Sequence, residues 1–399
     1  MNVPKLRFSE FSDEWKEIDL KNIFDYFSTN SLSRDQLSDN GVIKNIHYGD
    51  IHKKYQTIVD VDKNVDTYIN DKDYFNKYES CKNNDLIFAD ASEDYDGIGK
   101  AIEITNIKCD TISGLHTILA RDNLNVFAPK FKGYYFNSTA IHNQIRILAN
   151  GFKVYGISKD TINKLNAKIP SFKEQEKIAN TLELLDKKIE LQTKKIEDLK
   201  LFKKGLIKKF FNEDNLKQIK IKEIGEIVTG TTPSKSINSY WDNGNIIWVT
   251  PTDIDDNRDI NDSIFKITDS GLKNGRFIPK NSILVTCIAS IGKNAVLKVD
   301  GSCNQQINAI IPYKDFNYNY IYYLIESISN YMKSIAGTSA TSIINKDDFS
   351  KIVVKIHSKE KQDYIASIMS QFENKIVLEN SKLNKLCQLK KGFMQNMFV

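Results

Sequence analysis

Two stretches of the chain carry apolar residues at alternating four- and three-residue intervals. The first runs Ile178, Leu182, Leu185, Ile189, Ile196, Leu199, Leu206 and Phe210; the second runs Ile365, Met369, Phe372, Ile376, Leu383, Leu386, Phe393 and Met397. A 3.5-residue period sustained over this many turns predicts long helices that pack through a narrow seam at a shallow angle. Neither stretch contains a proline after its start. A helix from Glu174 to Phe211 would extend about 57 Å at 1.5 Å per residue, longer than a small domain is wide. Polar residues interrupt both seams at matching places, Gln192 and Lys203 in the first, Glu379 and Lys390 in the second.

The match is part of a larger duplication. Residues 159–211 align without a gap to 346–398, a constant offset of 187. Identities include Gln175/Gln362, Ile178/Ile365, Ala179/Ala366, Ile189/Ile376, Leu199/Leu386 and Lys203-Lys204-Gly205/Lys390-Lys391-Gly392. Upstream the two halves agree more weakly: Glu17–Ile23 with Gln218–Ile224, His47–Ile51 with Thr250–Ile254, Asn84–Ile87 with Asn281–Leu284, Ile98–Lys100 with Ile291–Lys293. There, short apolar runs such as Leu86-Ile87-Phe88 and Ile283-Leu284-Val285 are broken by turn residues at close intervals, which predicts strands in a mixed α/β (α+β) globule. The order is globule, long helix, globule, long helix. For the second helix to bury its seam on the first, it must return antiparallel, so the two halves should be related by an approximate twofold axis. Phe398 should then lie near Trp15.

Composition narrows the chemistry. The 399 residues are 41% hydrophobic and 27% charged, ordinary for folded domains, with a net charge of +5 that permits a polyanionic partner without demanding one. No apolar run approaches the length of a membrane span, and the five cysteines form no CxxC pair, which suits a reducing cytoplasm. The chain lacks GxGxxG, the Walker phosphate loop, GxSxG and any Pro-Pro dipeptide; His47 and His52 have no third metal ligand close by in sequence. Neither a catalytic nor a metal-binding constellation emerges, which favours a non-catalytic binding protein.

Two stretches fit a nucleic acid. Lys44, Asn45, His47, Tyr48, His52, Lys53 and Lys54 combine phosphate-binding cations with side chains that bond base edges. The second globule offers Thr231, Thr232, Ser234, Lys235, Thr250 and Thr252, together with Asn304, Gln305 and Gln306, whose amides suit bidentate pairing with adenine. Lys100 and Lys293 complete the set from the duplicated Ile-Gly-Lys triplets. Each stretch alone also reads as a polar loop or strand edge; their duplicated placement is the stronger argument for binding.

The pattern resembles the specificity (S) subunit of type I restriction-modification systems over essentially the whole chain. Ile169–Ile189 and Ile356–Ile376 are similar to that family's entry into each conserved helix, although His357 replaces the proline and Lys361-Gln362 replaces Glu-Gln. Val3–Phe8 with Trp15 resembles the family's start, and Ile46–Ile51 and Gly230–Pro233 look like recurrent target-recognition elements. The resemblance implies target recognition domains at 1–170 and 213–357, and conserved spacer helices at 171–212 and 358–399. It implies that each domain reads one half of a split, asymmetric site in double-stranded DNA. The helices then set the gap and dock two modification subunits that methylate adenine N6. S-adenosylmethionine, ATP and Mg belong to the modification and restriction subunits, and no cofactor to this chain. The four polar seam residues either fix register as buried polar groups or face solvent or a partner, and the resemblance slightly favours partner docking. The rival function is a coiled-coil scaffold that binds protein without reading DNA sequence. A second rival, the recognition half of a fused restriction-methylation enzyme, is opposed by the missing motifs.

Overall fold

A computed structural model describes residues 3–71, 75–151, 154–255, 257–336 and 343–399. The chain divides into two compact units: Met1–Thr193 with Ser381–Val399, and Lys194–Asn380. Two long helices, Phe172–Phe211 and Lys359–Asn396, each contribute one portion to either unit.

In the first unit a five-stranded sheet runs in the order Phe24–Phe27, Thr117–Asp122, Leu86–Ala89, Ala101–Thr105, Ile58–Asp60. Only the last pair is parallel. Both faces are covered. Leu86 and Phe88 point into a core with Trp15, Phe131, Tyr134, Tyr135 and Phe136, whereas Ile87 and Ala89 point into another with Ile46, Ile51 and Ile104. This is why the strand is apolar throughout instead of alternating. A second sheet, Tyr68–Ile69, Ile43–Ile46, Thr111–Ser113, places its last two strands parallel.

The second unit repeats the plan. Its five-stranded order is Gly225–Thr229, Ile307–Pro312, Ile283–Thr286, Asn294–Leu297, Asp259–Ile260, again with only the final pair parallel. Its three-stranded sheet is Phe265–Ile267, Ile246–Val249, Gly301–Cys303, the last two parallel. Ile283 and Val285 enter one core and Leu284 the other. Short two-stranded ribbons, Lys16–Ile18 with Ala167–Ile169 and Lys217–Lys220 with Val353–Ile356, also correspond. The duplicated Ile-Gly-Lys triplets are turns. Gly99 and Gly292 adopt φ of 70° and 81°, and a Cβ at Gly99 would lie 2.6 Å from Ile145.

Within the first unit, Ile178, Ala179 and Leu182 of the first long helix share a core with Met397 and Phe398 of the second, and Asp186 pairs with Lys390. Within the second unit, Lys195 pairs with Glu379 and Lys203 with Glu373. Numbers rise along one helix as they fall along the other, so the segments pair antiparallel in each unit. Ile178, Leu182, Leu185, Ile196, Ile365, Met369 and Ile376 are buried; Ile189, Leu199, Phe372, Leu383 and Leu386 are half-buried. Phe398 packs edge-on against Trp15, ring centroids 6.5 Å apart, and Leu6 N–H donates to Asn396 O. Among the described residues no helix is long and apolar enough to cross a membrane.

Three of the polar seam positions, Lys203, Lys390 and Glu379, turn inward to intramolecular partners. Lys203 is 13% exposed and lies 3.1 Å from Glu373 and 3.4 Å from Glu326, beside the rings of Tyr322 and Tyr323. Lys390 meets Asp186, which also accepts from the Tyr134 hydroxyl at 2.9 Å. Glu379 is buried against Lys195. Docking through these charges, the slightly favoured expectation, is therefore corrected: intramolecular pairs occupy Lys203, Lys390 and Glu379, which suits register-setting.

Candidate nucleic-acid interface

Each unit builds a crest where its two parallel strands end. In the first, strand Ile43–Ile46 runs into a helical turn, Tyr48–Lys53, while strand Thr111–Ser113 runs into the loop 114–116. His47 caps the turn, its Nδ1 accepting from Gly49 N–H at 3.1 Å, which requires a neutral ring. Burial pushes the His47 pKa down and overrides Asp50, which acts to raise it. Tyr48 N–H donates to Leu115 O and ties the turn to the loop. The Tyr48 ring stands edge-on to His116 at 5.2 Å and to His52 at 6.1 Å. Half-exposed His116 sits at φ 53° and engages Asp90 Oδ1 through Nδ1 at 3.1 Å. Burial raises the Asp90 pKa despite that contact.

Several expected contact residues lie elsewhere. Lys44 is buried, its ammonium donating to the carbonyls of Val61 and Asp62, both at 2.8 Å. Asn45 is fully buried and accepts from Asn30 at 2.7 Å. Both side chains are structural, because the strand carrying them is covered on both sides; neither reaches a ligand on the surface. Lys100 is half-buried and donates to the carbonyls of His52 and Tyr55, and burial lowers its pKa. Lys53 and Lys54 are exposed, the latter paired with Asp66. Tyr48 and His52 stay at the crest.

The second unit forms the same crest with other side chains. Strand Ile246–Val249 leads into a turn at Pro251–Asp253, and strand Gly301–Cys303 into the loop 304–306. Thr250 Oγ1 bonds Thr252 at 2.7 Å and Asp253 at 2.7 Å. Thr232 and Gln305 meet at 2.5 Å, and Asn304 donates to Gln306 at 3.1 Å. Asn304 is buried and acts as a brace, so Gln305 and Gln306 carry the loop's accessible amides. Behind them Trp248 donates to Thr231 O and packs edge-on to Trp241 at 5.0 Å. Ser234, Lys235 and Lys293 are exposed.

Sequence reasoning missed His116 and Asp90. The usable signal was alignment of the two loops: 114–116 and 304–306 both join the last strand of the small sheet to the second strand of the large one. His116 thus occupies the place of Gln306. Among the described residues no group of His, Cys, Asp or Glu has the arrangement of a metal site.

Comparison with known proteins agrees with this duplication. Residues 12–201 and 213–388 each match the family described as Type I restriction modification DNA specificity domain. The chain is 36% identical over 169 residues to the type I restriction enzyme MjaIX specificity subunit of Methanocaldococcus jannaschii, covering 41% of this chain and 38% of that one. It is 29% identical over 185 residues to the HindI specificity subunit of Haemophilus influenzae, covering 42% and 38%. These matches span about two fifths of each relative's length. The fold is similar to the S subunit of a type I restriction-modification system from M. genitalium, with TM-score 0.60, 14% identity and coverage of 100% and 99%. It is similar also to a chain from a study of complex assembly and conformational transition of a type I system, with TM-score 0.59, 15% identity and coverage of 98% and 95%.

Proposed function

The chain belongs to the type I restriction-modification DNA specificity family, and from that membership we propose that it reads a split, asymmetric sequence in double-stranded DNA, one half-site per unit. One observation carries this reading. The two units share strand order and loop placement, yet the crests at their parallel strand ends carry different side chains. A common scaffold with unlike crests suits two unlike half-sites. The long helices act as the spacer between them. Half-sites on one face of B-DNA lie about 34 Å apart, one helical turn, which helices of 40 and 38 residues exceed.

The chain performs no chemistry of its own in this reading; it directs a modification subunit that carries S-adenosylmethionine and methylates adenine N6. ATP and Mg serve the restriction subunits. Docking falls to apolar residues that the helices leave exposed at repeat-equivalent places: Leu191 with Leu378, and Phe202 with Leu389. Duplicated apolar patches suit two copies of one partner.

The test is co-expression with a cognate modification subunit, followed by single-molecule sequencing for methyladenine. A split motif with unlike halves and a fixed gap is expected. Methylation at a contiguous site, or none with an active partner, overturns the reading. Exchanging residues 1–170 with those of another member should alter one half-site only, and lengthening both helices should alter the gap.

A further inference from the structure

The equivalent loops 114–116 and 304–306 present hydrogen-bonding groups of opposite sense, and internal bonds fix that sense. In the second unit the backbone N–H of Gln306 donates to Asn304 Oδ1 at 3.0 Å. A backbone N–H only donates, so the Asn304 atom facing it is the oxygen, and its Nδ2 is a donor. That Nδ2 reaches Gln306 Oε1 at 3.1 Å. The Gln306 side-chain oxygen thus already accepts one bond inside the loop, while its Nε2, with two protons, faces a ligand as a donor. That bond biases Gln306 toward donating, whereas bidentate pairing with adenine needs an amide to accept and donate together.

In the first unit His116 is held by Asp90 at two points. Its Nδ1 lies 3.1 Å from the Asp90 carboxylate, and its carbonyl accepts from Asp90 N–H at 3.0 Å. A carboxylate accepts, so Nδ1 carries a proton, and in the tautomer this selects Nε2 is the ring's acceptor. Tyr48, edge-on at 5.2 Å, limits the ring's rotation.

We infer that these two side chains set base choice at one position of each half-site: Gln306 donates to guanine, whose O6 and N7 both accept, and His116 accepts from the exocyclic amine of adenine or cytosine. The inference rests on the reading of the chain as a DNA specificity subunit. It deepens that reading by assigning a hydrogen-bond polarity to each unit.

The test uses the full complex with its modification subunit and methyladenine mapping. Gln306→Glu keeps an oxygen for Asn304 and replaces the outward donor with an acceptor. Preference for guanine at one position should fall at least about tenfold, with cytosine, which offers an amine, gaining. His116→Ala should relax one position in the other half-site. In each variant the untouched half-site reports that the chain is folded. A split wild-type motif that ignores both substitutions overturns this inference alone; both substitutions acting on the same half-site overturn the reading of one half-site per unit, and this inference with it. Absence of any split motif with the wild-type chain overturns the underlying reading and this inference with it.

Discussion

His47 joins a capping bond to a depressed basicity. Its ring nitrogen accepts a backbone proton, and burial lowers its pKa below the ordinary value of 6.5. The unfolded chain therefore takes up a proton that the folded chain resists. The stability from this group is complete above about pH 6.5 and declines as pH falls through 6.5 toward the lower folded value. We expect the amide of Gly49 to lose hydrogen-exchange protection between pH 7 and 5, and His47→Asn, which caps without titrating, to abolish that trend. At this scale the sequence was only partly legible. Tyr48 and His52 stood out as aromatic and polar, and both lie at the crest, whereas His47 is buried as the cap of its turn. Lys44 and Asn45 looked equally available, yet long-range pairing of their strand buried them, and no local pattern announces that. His116 was hidden for the converse reason, because its importance comes from Asp90 and Tyr48, 26 and 68 residues away.

The seam was the most legible element, since a 3.5-residue period states which face of a helix is buried before any partner is known. Its polar interruptions were less so. Lys203 and Lys390, and Glu373 and Asp186, are repeat mates at the same offset, so the two units hold the same ion pair with donor and acceptor helices exchanged. Each pair also grips its own globule, through Glu326 in one unit and Tyr134 in the other. Lys203→Met should destabilise the second unit by about 3–5 kcal/mol, because two carboxylates lose their counter-charge in a largely buried site. Urea unfolding followed through Trp241 and Trp248 would measure it. Burial already raises the Glu326 pKa above its ordinary 4.5, with Lys203 opposing. A raised carboxyl pKa costs stability as pH climbs through that window, so the variant should be weakened less at pH 5 than at pH 8.

The ends of the chain were placed correctly at the level of the whole molecule by repeat arithmetic alone. Phe211 packs on Tyr320 in one unit, and its repeat mate Phe398 packs on Trp15, Phe131 and Tyr135 in the other. Phe398→Ala should cost about 3–5 kcal/mol, typical of a buried aromatic truncated to a methyl. The change should appear in the emission of Trp15 while leaving Trp241 and Trp248 untouched. The composition of the units has a further result during synthesis. Lys194–Asn380 is continuous, so every residue of that unit has been made before Ser381 is added. The other unit is interrupted: its first 193 residues hold most of the Trp15 and Phe131 cluster, and Met397 and Phe398 join it from the far end of the second long helix. The half translated first is thus completed last, and its aromatic core gains the Phe398 ring only after the whole of the other unit has been made.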